Sequence, residues 1–230
     1  MPWNPDIYDQ FKKERSAPYF DLIKLIEIES NMSVIDLGCG TGELTSGLLD
    51  FIPNSKIIGI DSSAEMLQKA EQYATKRLQF FQRSVEEQVE LKDKFDLILA
   101  NASLQWCDNH QELFPKLISK LNPDGQLAVQ VPSNHNFIVH QLLSVVAGHE
   151  VYQKHFNGWK RKYSVLNIED YAKILSDNEG RKINVFEKVY PHIMKDADAV
   201  FDWASGTAMI PFVEKLPDEL KNQYKQDYKE

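Results

Sequence analysis

The chain has 230 residues, 43% of them hydrophobic and 26% charged, and a net charge of −8. That balance is ordinary for a globular protein and argues against disorder or a membrane span, while a negative field without a long basic run argues against nucleic-acid binding. Cys39 and Cys107 are the only cysteines; without CxxC spacing or further partners they indicate neither a disulfide framework nor a zinc site, so no metal is expected. The opening MPWNPDIYDQFKKERSAP has no apolar signal-peptide core and no transit-peptide composition. A cytoplasmic protein with a small-molecule partner and no membrane or nucleic-acid partner follows, as a monomer or weak homodimer.

In chain order, Trp3-Asn-Pro5 opens an amphipathic N-terminal helix, with Asn4 and Pro5 as its start signals. Ser33 to Leu37 is a short apolar run ending in glycines, and Lys56 to Ile60 is a second one ending at Asp61; each reads as a buried parallel strand. Between them Leu44, Leu48 and Leu49 share one face of a crossover helix, Glu43 to Phe51, closed by Pro53. Ser62-Ser-Ala-Glu65 has the form of a capping box and opens a helix bearing Met66, Leu67 and Ala70. Arg77 to Phe81, Phe95 to Ala100 and Gln126 to Val131 supply three further strands. Before the last of these, a helix from about Gln111 to Leu121 stops at Asn122-Pro-Asp-Gly125. A strand at Ile183 to Val189 precedes a charged, helix-like tail, LPDELKNQYKQDYKE. The alternation defines a doubly wound α/β sheet.

In such a sheet the ligand lies at the carboxyl ends of the strands, where strand order reverses. The stretch VIDLGCGTGELT, residues 34–45, stands there. A dinucleotide fingerprint needs Gly or Ala at 43, where this chain has Glu43, and a P-loop needs a Lys-Ser or Lys-Thr that does not follow. What remains is a D-x-G-x-G-x-G turn in which Gly38 and Gly40 bring backbone against a flat or extended ligand, while Asp36 anchors the loop or reaches a cationic group. Asp61, about 20 residues beyond the glycines, is placed to accept from both hydroxyls of a ribose. The competing role for Asp61 is to cap the helix that starts beside it.

With VIDLGCGTG, GIDSSAEML, FDLILANASLQW and LNPDGQLAVQVP in place, the chain resembles the class I methyltransferases that use S-adenosylmethionine. More narrowly, Trp3-Asn-Pro5 with Tyr8, Phe11 and Arg15, NASLQW at 101–106, HQELFPKLISKLNPDGQLAVQVPSN at 110–134 and Tyr190-Pro-His192 resemble the trans-aconitate methyltransferases. The resemblance covers nearly the whole chain. It implies a Rossmann-like sheet, S-adenosylmethionine as cofactor and a methyl ester of a small carboxylic acid as product. It further implies a single domain: N-terminal lid helices (1–30), a cofactor-binding half (31–134), a helical cap inserted after the fifth strand (135–180), and a C-terminal strand and helices (181–230) in which the family's last strand is in question.

By the same resemblance the cofactor's methionine end falls on Asp36, Gly38, Gly40 and Asn101, its ribose and adenine on Asp61, Ser62 and Met66, and further contacts on Ser84, Val85 and Gln105. Trp3, Tyr8, Arg15, Trp106 and Trp159 are implied acceptor-side residues, with Trp106 equally readable as a core aromatic. Tyr190 and His192 are implied to orient the acceptor. No general base is required, because a carboxylate acceptor with a pKa near 4 is already ionised. Two positions depart from the family pattern. Ile210 stands where an arginine is usual, and Ser84 follows Arg83 where many relatives carry an Asp facing adenine. Without that arginine, cations for the acceptor come from Arg15 with Lys12 and Lys13, or from Lys160, Arg161 and Lys162. The alternatives are a less charged acid, such as malonyl on a carrier protein, or a cofactor-binding protein without turnover.

Overall fold

The computed structural model describes residues 12–191, 193–206 and 208–230, with side chains from Ser16 onward. Trp3, Tyr8 and His192 lie outside the described residues, as does the Arg15 side chain. The chain divides into two compact units: one holds 17–132 and 164–188, and the other includes 133–163 and 189–230.

The first unit is built on a five-stranded parallel sheet in the order β3-β2-β1-β4-β5. Its strands are β1 (Ser33–Leu37), β2 (Lys56–Asp61), β3 (Leu78–Gln82), β4 (Phe95–Asn101) and β5 (Leu121–Gln130). Helices α1 (Lys12–Ile23), α2 (Glu43–Phe51), α3 (Ala64–Ala70), α4 (Val85–Glu90) and α5 (His110–Ser119) precede or connect them, and α8 (Ile168–Asp177), numbered after two helices of the other unit, returns to this one. Apolar residues run almost without a break along β1 and β4 because both sheet faces are covered. Val34, Leu97 and Leu99 point into a core with Tyr19, Leu22 and Leu48; Ile35, Ile98 and Ala100 point into the opposite core with Val89, Leu113, Phe114 and Leu117. Each fully buried Leu or Ile contributes about 2 kcal/mol by leaving water. Tyr19, Leu22, Ile23 and Ile26, within the segment expected as lid, are thus buried in the core of the sheet.

Three details differ from the sequence reading. The strand expected at Ile183 to Val189 does not form. A strand persists only with a ladder partner, and the described chain beyond this stretch is helix and loop, so nothing extended pairs with it. The stop at Asn122 to Gly125 is not a break before β5 but an irregularity inside it: Phe95 pairs with Leu121 and Leu97 with Gln126. A side chain on Gly125 would meet Phe95 O at 3.0 Å. The helix after β2 is capped by Ser63, whose hydroxyl accepts from Met66 N at 3.2 Å, so the expected Ser62–Glu65 box is displaced by one residue and does not close.

The second unit is helical: α6 (Ile138–Ala147), α7 (Glu150–Phe156), α9 (Ala197–Ser205), α10 (Ile210–Val213) and α11 (Asp218–Lys229). They enclose Leu143, Val146, Tyr152, Phe156, Met209, Phe212 and Tyr224. The tyrosines keep their hydroxyls paired, Tyr152 donating to Asp227 and Tyr224 to Leu143 O, each at 2.6 Å. The insertion expected as a cap over 135–180 therefore divides, its first part joining this unit and α8 joining the sheet. No described helix is long and apolar enough to cross a membrane.

Candidate functional site

The sheet order reverses direction between β1 and β4, and Asp36, Gly38, Gly40, Asp61, Asn101 and Gln105 stand at or just past the carboxyl ends of β1, β2 and β4. The three glycines after β1 all have positive φ (75°, 56° and 71° for Gly38, Gly40 and Gly42), a conformation costly for other residues. Their lack of a side chain serves different ends. A Cβ on Gly38 would lie 2.3 Å from Ser103 Cβ, and one on Gly42 would lie 2.7 Å from the Phe80 ring. Those two glycines let the protein close upon itself. Gly40 alone of the three faces open space, with nothing within 4 Å of the point where a Cβ would stand, and is the place where a ligand can meet bare backbone.

Asp61 fastens this loop. One carboxylate oxygen accepts from Gly40 N and the other from Ser63 N, both at 2.9 Å. It is therefore not the helix cap, a role that Ser63 fills. A carboxylate offers about four lone-pair sites, so two remain for further donors. Asp36 is buried, with 4% of its surface exposed, and accepts from Thr45 Oγ1 at 2.5 Å. Burial pushes its pKa up to about 6, the Thr45 hydrogen bond opposes this, and the nearby Asp61 charge adds to it. Of the two roles open to Asp36 in the sequence, the anchoring one is visible in this bond between β1 and α2.

Past β4, Ala102 adopts φ 51° and a 3-10 turn follows over Leu104–Trp106. Gln105 Nε2 donates to Ala102 O at 2.7 Å, while Gln105 Oε1 is buried and has no partner among the described residues; Asn101 Oδ1 is in the same condition. Two buried, unsatisfied acceptor oxygens beside the glycine loop are costly unless a ligand donates to them. Trp106 is 70% exposed, which removes the core reading of that residue.

Sequence reasoning missed what holds this turn. His110, buried at the start of α5, has Nε2 2.8 Å from Leu104 O and Nδ1 2.6 Å from Tyr171 OH. Leu104 O can only accept, so Nε2 carries the proton, Nδ1 accepts from the tyrosine hydroxyl, and that hydroxyl accepts from Leu166 N at 3.1 Å. Burial pushes the His110 pKa down, keeping the ring neutral.

The remaining candidates are less concentrated. Ser62 is exposed, its carbonyl accepting from Gln82 Nε2, and Met66 is half-buried on α3. Ser84 is the N-cap of α4 in a reciprocal box with Glu87, which the sequence reading did not identify, so its hydroxyl is already engaged; Val85 is buried in the sheet's core. In the helical unit Trp159 stacks on Phe156 (5.8 Å between centroids) and meets Phe212 edge-on (5.3 Å), while Tyr190 is half-buried. Among the described residues, no three His, Cys, Asp or Glu cluster as a metal site.

A parallel sheet with an open glycine loop after β1 and an acid after β2 defines a nucleoside-binding α/β protein. A family model described as a methyltransferase domain matches residues 28–188. The chain is 40% identical over 222 residues to the trans-aconitate 2-methyltransferase of Deinococcus radiodurans, covering 94% of this chain and 84% of that one. It is 37% identical over 214 residues to the enzyme of that name from Escherichia coli strain 55989, covering 93% and 82%. The plantazolicin methyltransferase BpumL in complex with SAH shares the fold, with a TM-score of 0.56 at 16% identity over 94% of this chain and 87% of that one. The chain thus belongs to the class I methyltransferases that use S-adenosylmethionine, within the trans-aconitate 2-methyltransferase family.

Proposed function

We propose that the protein transfers the methyl group of S-adenosylmethionine to a carboxylate oxygen of a small polycarboxylic acid of the trans-aconitate type. The observation that carries the cofactor assignment is the pair of buried acceptors, Asn101 Oδ1 and Gln105 Oε1, at the carboxyl end of β4, the strand paired with β1, after which Gly40 leaves its backbone open. Together they suit a ligand with an ammonium group at one end and an extended body. The assignment of trans-aconitate rests on relatives of that name at 32–40% identity over most of the chain.

When bound, S-adenosylmethionine supplies an activated methyl group on a sulfonium. Asn101 and Gln105 would take hydrogen bonds from its ammonium end, and the free lone pairs of Asp61 would take the ribose hydroxyls. Asp36 and Asp61 act on the loop itself, fixing Gly38 to Gly42 before the ligand arrives. Such pre-positioning is the main contribution a protein makes to an in-line displacement, worth roughly 7 to 11 kcal/mol when the reacting atoms are held about 3 Å apart. No side chain is needed to remove a proton, since the acceptor carboxylate is ionised above about pH 5.

Initial rates with trans-aconitate, at saturating cofactor, test this reading across pH. With no general base the rate should stay level from about pH 7 to 9. A rate that climbs tenfold per pH unit through that window would show that an ionising group of the protein takes part and would contradict a base-free transfer.

A further inference from the structure

The helical unit contains a cluster of cationic and imidazole groups that the cofactor half does not use. Arg161, half-buried in the loop after Trp159, donates from Nη1 to Ala208 O at 2.6 Å, and its guanidinium carbon lies 5.1 Å from the centre of the Tyr163 ring. His135 also packs on that ring, its centroid 5.3 Å from that of Tyr163. His140, in the first turn of α6, has its Nδ1 buried with no hydrogen-bond partner among the described residues. Its pKa is pushed down to about 4 by burial first and then by the charges of Arg161 and His135. Among the described residues no carboxylate lies within ion-pair distance of Arg161, whereas its neighbours Lys160 and Lys162 are exposed.

A half-buried guanidinium without a counter-charge and an orphaned imidazole nitrogen are each unfavourable alone. An anion that reaches both would offset both. The backbone that Arg161 holds is also informative, because Ala208 stands two residues before Ile210, the position at which the sequence lacks its expected arginine. A guanidinium planted on that loop from another segment restores a planar, bidentate donor to the neighbourhood.

We propose that Arg161 and His140, flanked by His135 and Tyr163, form a carboxylate-binding subsite of the helical unit that selects polyanionic acceptors; the identity of its ligand as the methyl acceptor rests on the function proposed above. Arg161 supplies paired N–H donors to one carboxylate and His140 Nδ1 completes the set. The Tyr163 ring holds the guanidinium plane in place by stacking.

Calorimetric titration of trans-aconitate into the full-length protein, with and without S-adenosylhomocysteine, tests the subsite independently of turnover. Binding by Arg161→Gln should weaken by about 30-fold or more, and by His140→Gln about 5- to 10-fold. Arg161→Lys, which keeps the charge but loses the fork, should fall between wild type and Arg161→Gln, and Lys154→Gln, an exposed lysine of the same unit, should stay within about twofold. The loss in Arg161→Gln should be larger for trans-aconitate than for the monoanion crotonate, a selectivity change that a purely structural role would not produce. If Arg161→Gln does not fold, His140→Gln and Arg161→Lys decide. Unchanged trans-aconitate binding in these variants, or none in wild type, overturns the subsite. Arg161-dependent binding by a protein that forms no ester keeps the subsite and removes the methyl-transfer reading; ester formation with Arg161-independent binding does the reverse.

Discussion

Asp61 accepts the amide of Gly40 at 2.9 Å through one oxygen and that of Ser63 at 2.9 Å through the other, so a single carboxylate joins the glycine loop after β1 to the start of the helix after β2. The acid that the sequence marks for a ribose is therefore also the clamp on the glycine loop. Asp61→Ala removes both acceptors and the proposed ribose contact together. Two charge-assisted hydrogen bonds contribute about 1.5 to 3 kcal/mol each, and S-adenosylmethionine affinity should fall by at least about 100-fold in a calorimetric titration. A loss of under about threefold would mean that the clamp has no part in binding.

The glycines separate the demands of folding from those of binding. Gly38→Ala should lower the melting temperature of the ligand-free protein strongly, because its methyl would lie 2.3 Å from Ser103 Cβ. Adding Ser103→Gly should restore the steric part and leave the positive-φ cost, of order 1 kcal/mol, together with the loss of the hydrogen bond that Ser103 Oγ donates to Leu37 O. Gly40→Ala carries the φ cost without the clash, so it should melt higher than Gly38→Ala yet bind S-adenosylmethionine more weakly. Equal melting temperatures for the two variants would contradict this division.

Asp36 predicts a pH-dependent cost. Its folded pKa of about 6 stands above the ordinary 3.8, chiefly through burial, so the folded protein holds this proton longer than the unfolded chain. Stability from this group accordingly falls as pH rises from about 4 to about 6 and is level above that. In ligand-free protein Asp36→Asn, which still accepts from Thr45, should be more stable than wild type at pH 8, by on the order of 2 to 3 kcal/mol, with the difference vanishing near pH 4. Urea denaturation at the two pH values measures it. A variant less stable at pH 8 than at pH 4, relative to wild type, would reverse the assignment.

The Tyr171 to His110 to Leu104 chain connects α8 to the turn that presents Gln105 and Trp106. Tyr171→Phe leaves buried His110 Nδ1 and Leu166 N without their partner, a loss of about 1 to 3 kcal/mol. Its second effect should be a weaker cofactor complex, since the turn after β4 loses its brace. An unchanged melting temperature would show that water or a shifted histidine replaces the hydroxyl.

Much of this was readable in the residues. Short runs rich in β-branched and other apolar residues, such as Ser33–Leu37 and Phe95–Ala100, read as buried parallel strands, and glycines directly after the first announce close approach. What stayed hidden depends on contacts distant in sequence. Ser84 is the exception, because Glu87 three residues on is the local mark of a capping box and the sequence reading passed over it. His110 and Tyr171 are 61 residues apart, so no local pattern couples them. Ile183 to Val189 has strand composition, but a strand is defined by its neighbour, and the described residues supply none. Arg161 stood among three adjacent cations, and only burial separates it from Lys160 and Lys162.

The central claim is that a carboxylate receives the methyl group of S-adenosylmethionine. Its most direct test is mass spectrometry of the small-molecule products after incubating the protein with methyl-deuterated S-adenosylmethionine and trans-aconitate. A base-labile trans-aconitate monoester carrying the deuterated methyl is the result expected. Cofactor bound stoichiometrically, with no labelled ester on trans-aconitate or on any other polycarboxylic acid supplied, would contradict the account.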